Sequence, residues 1–349
     1  MAERLRRLAA AAGRGPLAAG AARVVDRALP RRRGVLAILT YHRVDDPAAR
    51  PDLMPSLISA TPDAFAGQVA MIARDFDPVS LHDVLAALGE PHRLPRRAVL
   101  VTFDDGYRDF AANAWPVLRS SGVPATLFVA TAFSGDPTKR FWWDRLWDAV
   151  SRSDRATIDT PVGTLPVGGP HAGSTVAALR GWLKDLDHDA TLVEVDRLVE
   201  ALGATTPDGV EPAVLAWDDL RRLAGEGVTL APHTRTHPLL DRVAIDRAVD
   251  EIAGSYADLE RETGSIAAPV RVLAYPSGAH GDPAVEASRR AGMDMAMTTR
   301  RGGNDLRRAD RFRLRRINVG GRASVPLIRA QLAWAATLDV VRRGSTPNP

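Results

Sequence analysis

Several short apolar runs in this chain end abruptly in residues able to do chemistry, and segments of helical spacing separate them. Val35-Leu36-Ala37-Ile38-Leu39 leads into Thr40-Tyr41-His42, Ala98-Val99-Leu100-Val101 into Thr102-Phe103-Asp104-Asp105-Gly106, and Val228-Thr229-Leu230-Ala231 into Pro232-His233-Thr234-Arg235-Thr236-His237. Continuous apolar runs rich in β-branched residues read as strands buried on both faces, and such strands belong to parallel sheets covered by helices. Strand and helix in repeated alternation commit the chain to a parallel α/β fold. In that class the strand ends converge on one mouth, which is where sites are built.

The intervening helices carry their own start signals. Thr61 is placed to cap a helix opening at Pro62 with Phe65, Val69 and Ile72 on its apolar face, a second helix begins at Ser80 or Leu81, and a third covers residues 109–121. Further strands are expected at 124–129, 228–231, 270–275 and 293–298, with helices at 217–223, 245–261, 283–291 and 327–341. From about residue 133 to 215 the rhythm breaks. Phe141, Trp142, Trp143 and Trp147 fall in one helical segment, residues 157–167 resemble a short hairpin, and two amphipathic helices follow. Trp143 and Trp147 are four apart, so they are expected to pack this insertion down, with a lid or sugar-stacking platform as the competing use.

Composition narrows the chemistry. A chain of 349 residues, 45% hydrophobic, suits one large or two modest domains with a real core. Without cysteine there are no disulfides or thiolate sites, so any metal must be held by His, Asp or Glu. The net charge of +4 is unevenly spread: residues 1–33 hold nine arginines against Glu3 and Asp26, and residues 300–322 hold nine against Asp305 and Asp310, which leaves the body acidic. The basic segments lack interleaved aromatics apart from Phe312 and show no nucleic-acid module, so nucleic acid is not an expected partner. The first 33 residues lack an apolar stretch of signal-peptide quality, and a cytoplasmic location is expected. Their mixture of Leu, Ala and Arg suits an interfacial helix, which makes peripheral contact with the inner face of a membrane a hypothesis.

Two constellations carry the functional reading. Asp104 and Asp105 stand where a strand gives out, and Gly106 lets the chain turn so that both carboxylates can reach the mouth. His233 and His237, four apart, can face a common ion from one tightly turned segment, although Thr234 stands where the zincin pattern needs Glu. Two imidazoles with one carboxylate make a three-ligand site with room for water.

With Ala274-Tyr275-Pro276-Ser277-Gly278 as a third motif, Thr102 to Tyr107 and His233 to His237 resemble the polysaccharide deacetylase family, also known as the NodB-homology or carbohydrate esterase 4 group. The resemblance covers about residues 35–132 and 215–320. It implies a distorted (β/α)7 barrel of the NodB type holding one divalent ion, with zinc expected. Residues 1–33 are then a basic arm, 34–132 the first part of the barrel, 133–215 a mixed α+β insertion, 216–322 the second part, and 323–349 a C-terminal helix and tail. By motif position, Asp105, His233 and His237 are implied as metal ligands and Asp104 as general base; Tyr275 and Ser277 lie on the substrate side, with the Ser277 N–H as oxyanion donor.

Two departures accompany the resemblance. Many relatives pair the base with an Arg at the position of Ala274, and the nearest arginine in sequence is Arg271. Many also carry a C-terminal Leu-x-His whose His is the general acid, whereas no histidine follows His280 here. Tyr41-His42-Arg43-Val44 looks like the segment that supplies this histidine in permuted members, which makes His42 the candidate acid. The expected activity is metal-dependent removal of N-acetyl, and secondarily O-acetyl, groups from a polysaccharide or lipid-linked glycan. A glycan-binding protein with weakened catalysis is the alternative. A two-histidine, one-carboxylate iron oxygenase is disfavoured because Asp precedes a distant His-x3-His.

Overall fold

The computed structural model describes residues 33–136, 138–203 and 213–335, so the basic arm, apart from Arg33, and the end of the expected 327–341 helix lie outside the described residues. Seven parallel strands form the barrel: β1 (Val35–Tyr41), β2 (Ala98–Phe103), β3 (Ala125–Val129), β4 (Thr229–Pro232), β5 (Val272–Ala274), β6 (Met295–Arg301) and β7 (Leu314–Asn318). Apart from β4 and β5, each pairs with its neighbour in chain order, and β7 returns to pair with β1. Between β4 and β5 the Val270 N–H donates to Leu230 C=O at 3.2 Å, which leaves the barrel nearly closed. This is the distorted (β/α)7 architecture expected from the motifs.

Side-chain parity explains how the strands are filled. Leu36 and Ile38 of β1, Leu100 of β2, Phe128 of β3 and Leu314 of β7 share one apolar cluster inside the barrel. The alternate residues Leu39 and Tyr41, Val101 and Phe103, and Leu127 pack outward against Phe65, Val69 and Ile72 of α1 (Pro62–Asp75). Helix α1 begins where expected, with the Thr61 hydroxyl accepting from the Ala64 N–H. Ser80 and Asp83 form a reciprocal capping box at the next helix.

One barrel strand escaped the periodicity reading. Strand β7 lies inside the basic segment, where the arginines of Leu314-Arg315-Arg316-Ile317 mask the pattern, yet Leu314, Arg316 and Ile317 are all buried. Residues read as a charged stretch are therefore part of the barrel wall.

The segment after β3 builds a satellite core of its own. Helices α2 (Trp142–Arg152), α3 (Ala172–Leu183) and α4 (His188–Leu202) pack around Leu146, Val150, Leu179 and Leu198, with a two-stranded antiparallel hairpin, Thr157–Thr160 and Gly163–Pro166, between α2 and α3. Trp143 and Trp147 are buried in that cluster, as their i,i+4 spacing suggested, while Trp142 remains half exposed. A long helix α5 (Ile245–Thr263) then packs beside β4. Among the described residues no helix is long and apolar enough to cross a membrane.

Candidate active site

Asp104 continues the inward parity of Leu100 and Thr102, so the strand itself delivers this carboxylate into the barrel mouth. Its N–H donates to Tyr41 C=O at 3.0 Å, extending the β1–β2 ladder by one residue. Asp105 would by parity point outward. It instead adopts a left-handed backbone (φ 74°), followed by Gly106 at φ 73°, and so the turn starts one residue before the glycine to which the sequence had assigned it.

Asp105 Oδ1 lies 3.4 Å from His233 Nε2 and 3.4 Å from His237 Nε2, with all three side chains buried. The two histidines come from an irregular loop after β4, not from a helix. The His233 N–H donates to Val129 C=O at 2.9 Å, the His237 N–H to Thr234 Oγ1 at 3.0 Å, and Thr234 and His237 have positive φ of 65° and 60°. Among the described residues, Asp105, Thr234, His237 and Ser277 are the four non-glycine positions with positive φ. Backbone strain, which costs about 1–3 kcal/mol per residue, is thus concentrated at this mouth.

The loop is held from behind. Glu251 of α5 accepts from the N–H groups of Arg235 (2.9 Å) and Thr236 (2.8 Å) and from the Thr236 hydroxyl (2.6 Å), while Arg235 is fixed by Asp258. His233 Nδ1 faces Ala274 C=O at 2.7 Å, an arrangement that sets the tautomer and leaves Nε2 for Asp105's side of the site. Because Glu251 holds the loop that presents both imidazoles, any divalent ion held by Asp105, His233 and His237 is expected to bind about 10–100-fold more weakly in Glu251→Ala. Competition against a chromophoric chelator measures this, and unchanged affinity would show that the loop needs no such brace.

Electrostatics separate the adjacent carboxylates. Burial alone would raise both, but Arg316 and then His233 hold Asp104 below the usual range, while hydrogen bonds to His233 and His237 hold Asp105 well below it. Burial lowers His237, and the neighbouring His233 adds to that effect. For His233 burial also acts downward, but Asp105 and Asp104 more than offset it and the ring is raised.

The partner of Asp104 is the residue that sequence reasoning missed. Arg316 of β7 donates from Nη1 and Nη2 to the two Asp104 oxygens at 2.8 and 2.7 Å, and from Nε to Thr298 C=O at 2.9 Å. It shares the inward parity of Leu314 and is fully buried. The guanidinium absent from position 274 therefore reaches the same carboxylate from another strand, whereas Arg271 stacks on Tyr256 at 4.0 Å. His42 directly follows β1, half-buried, with its N–H donating to Ser59 Oγ at 2.9 Å, and it is near enough to act electrostatically on both Asp104 and Asp105.

Of the third motif, Ser277 lines the same cleft as His237, with φ 52° in a tight turn. Tyr275 does not face substrate: its ring is in a core cluster, its hydroxyl donates to Phe312 C=O at 3.0 Å, and its N–H donates to Met297 C=O at 3.0 Å. Both of its donors are committed elsewhere, which corrects its expected place on the substrate side.

Under the mouth, Arg43 binds Asp109 (3.0 Å) and Asp144 (3.5 Å) and lies over the Tyr107 ring, whose hydroxyl accepts from Trp143 Nε1 at 2.8 Å. Burial pushes Asp109 up to about 6 against the pull of Arg43. Through Asp144 and Trp143, the segment after β3 is tied to the residues that follow the acidic pair.

Barrel and mouth together define a class: a (β/α)7 protein with three buried groups able to hold a metal ion beside an arginine-clamped carboxylate. The polysaccharide deacetylase family model matches residues 92–158 and 168–296, and the chain belongs to that family, hydrolases that act on amide bonds. The poly-β-1,6-N-acetyl-D-glucosamine N-deacetylase of Escherichia coli K12 is 36% identical over 96 residues, which are 26% of this chain and 13% of that protein. Among solved structures, the Streptococcus pyogenes deacetylase PplD in complex with acetate matches with TM-score 0.57 at 19% identity, over 86% of this chain and 99% of that one. IcaB from Ammonifex degensii matches with TM-score 0.53 at 19% identity, over 87% and 98%. At such identities the structural likeness speaks for the fold. His42 and Arg316 lie outside the residues matched by the family model.

Proposed function

We propose that this chain hydrolyses the acetamide of N-acetylglucosamine units in a glycan, as the name of its Escherichia coli relative describes for that protein. The observation that carries the reading is the difference between adjacent carboxylates: Asp105 faces two imidazoles, while Asp104 is clamped by Arg316 through both of its oxygens. Neighbouring carboxylates in different environments are the usual means of separating binding from proton transfer.

Asp105, His233 and His237 fit a divalent cation, because one oxygen and two nitrogens converge, His233 is oriented through its other nitrogen, and the donor set suits zinc. Bound there, the ion would supply Lewis acidity to the amide carbonyl and acidify a water. Asp104 takes the proton from the attacking water, and its clamp keeps it unprotonated at neutral pH. The Ser277 N–H, on the cleft wall, is the donor for the oxyanion. His42, at the end of β1 and within electrostatic reach of both carboxylates, protonates the leaving amine.

Acetate release from N-acetylglucosamine oligomers, with acetylated xylan as the ester control, tests the activity. Release is expected from the oligomers, with loss on chelation and recovery with zinc; none from the zinc-loaded chain would favour a glycan binder. In the same assay His42→Ala should lower kcat about 100-fold and flatten the alkaline limb of the pH profile, since that limb reports the acid. Full activity with an unchanged profile would remove His42 from the mechanism.

A further inference from the structure

The cleft beside His237 and Ser277 has a far wall built by the segment after β3: Trp142 and Trp143 of α2, Lys184 at the end of α3, and His188 opening α4. Arg180 stands one helical turn before Lys184 on the same face of α3, behind the cleft wall that Lys184 lines. Both are partly buried, and among the described residues neither has a carboxylate within ion-pairing distance. Three other arginines of this segment are paired, Arg140 with Asp148, Arg145 with Asp196 and Arg197 with Glu194. Arg180 Nη1 points at the Met54 sulfur, a poor acceptor, at 3.6 Å, and its Nε is buried without a hydrogen-bond partner.

The charges these two cations feel are those of the site. Asp105 acts on both, and Tyr107 and Asp144 act on Arg180. Burying cations without a counter-charge is unfavourable, and an anion in the cleft offsets that cost. With Asp104 neutralised by Arg316 and a divalent ion on Asp105, this mouth would present net positive charge to whatever enters. We infer that Arg180 and Lys184 form a subsite for an anionic group, a carboxylate or a phosphodiester, carried by the substrate sugar or its neighbour. The inference rests on the deacetylase reading for its orientation and narrows the substrate to an acidic acetamido glycan.

Binding tests it independently of catalysis. Calorimetry on the full zinc-loaded chain compares a neutral N-acetylglucosamine disaccharide with matched disaccharides carrying a carboxylate or a phosphodiester. At least one anionic ligand should bind about tenfold more tightly, as expected for a charged hydrogen bond, and the advantage should shrink with salt. Lys184→Gln and Arg180→Gln should each remove most of that advantage while leaving the neutral disaccharide unchanged, and Arg180→Lys should retain it. The arm that gains identifies the anion. Equal affinity for all three ligands, or equal losses for neutral and anionic ligands in the variants, overturns the subsite. Anion preference without acetate release from any arm would overturn the hydrolase and leave the subsite standing.

Discussion

Replacing Asp104 by Asn should lower kcat/KM for acetate release by about 1,000-fold, because Asn keeps the shape but cannot accept the proton from water. Zinc binding should survive, since Asp105, His233 and His237 are untouched and converge without help from Asp104. That separation makes the result informative. A variant that loses metal as well would place Asp104 among the ligands; one that retains activity would end its role as base. The same substitution leaves Arg316 fully buried without its counter-ion, so stability should also fall, and unfolding curves must accompany the kinetics.

Arg316→Met approaches the pair from the other side. It leaves the Asp104 carboxylate buried with no bidentate donor, and breaking a buried pair in this way should cost about 3–5 kcal/mol. The sign of the pH effect follows from the clamp. In the intact protein Asp104 is held below the usual carboxylate range, so the pair stabilises the fold above that range and this contribution is lost as pH falls through the depressed value. Without Arg316, only the weaker pull of His233 and His42 opposes burial and the carboxyl titrates higher, so the acid limb of kcat/KM should move to higher pH. Denaturant unfolding and the pH–rate profile of Arg316→Met measure the two effects. A profile that does not move would mean that another group sets the ionisation of Asp104.

Much of the site was legible because its chemistry is local in sequence. The acidic pair and His-x3-His each fall within six residues at the end of an apolar run, so both the strand and the ligands could be read together. The hidden parts are those whose partners are distant. Arg316 is 212 residues from Asp104, in a segment whose arginine content reads as solvent-facing charge. Glu251 lies in a helix where an acid is unremarkable, and nothing nearby in sequence shows that it receives three donors from the histidine loop. Arg43, Asp109 and Asp144 meet across as many as 101 residues. Tyr275 was misplaced for a related reason: its motif position marks the turn, while the direction of its side chain is set by packing against Ser288 and Phe312.

Hydrophobic patterning, read along the chain, determined the strand–helix alternation and the mouth to which each motif belongs, because a buried strand must be apolar throughout and its end is where polar groups first meet water, while the division of roles between Asp104 and Asp105 came from the resemblance of the motifs. Tertiary structure alone decided which charge neutralises Asp104, what braces the histidine loop, and which cation lines the cleft. Those are contacts between residues far apart in sequence, and a buried ion pair is specified by where two strands lie side by side in the barrel, a relation that no local spacing encodes.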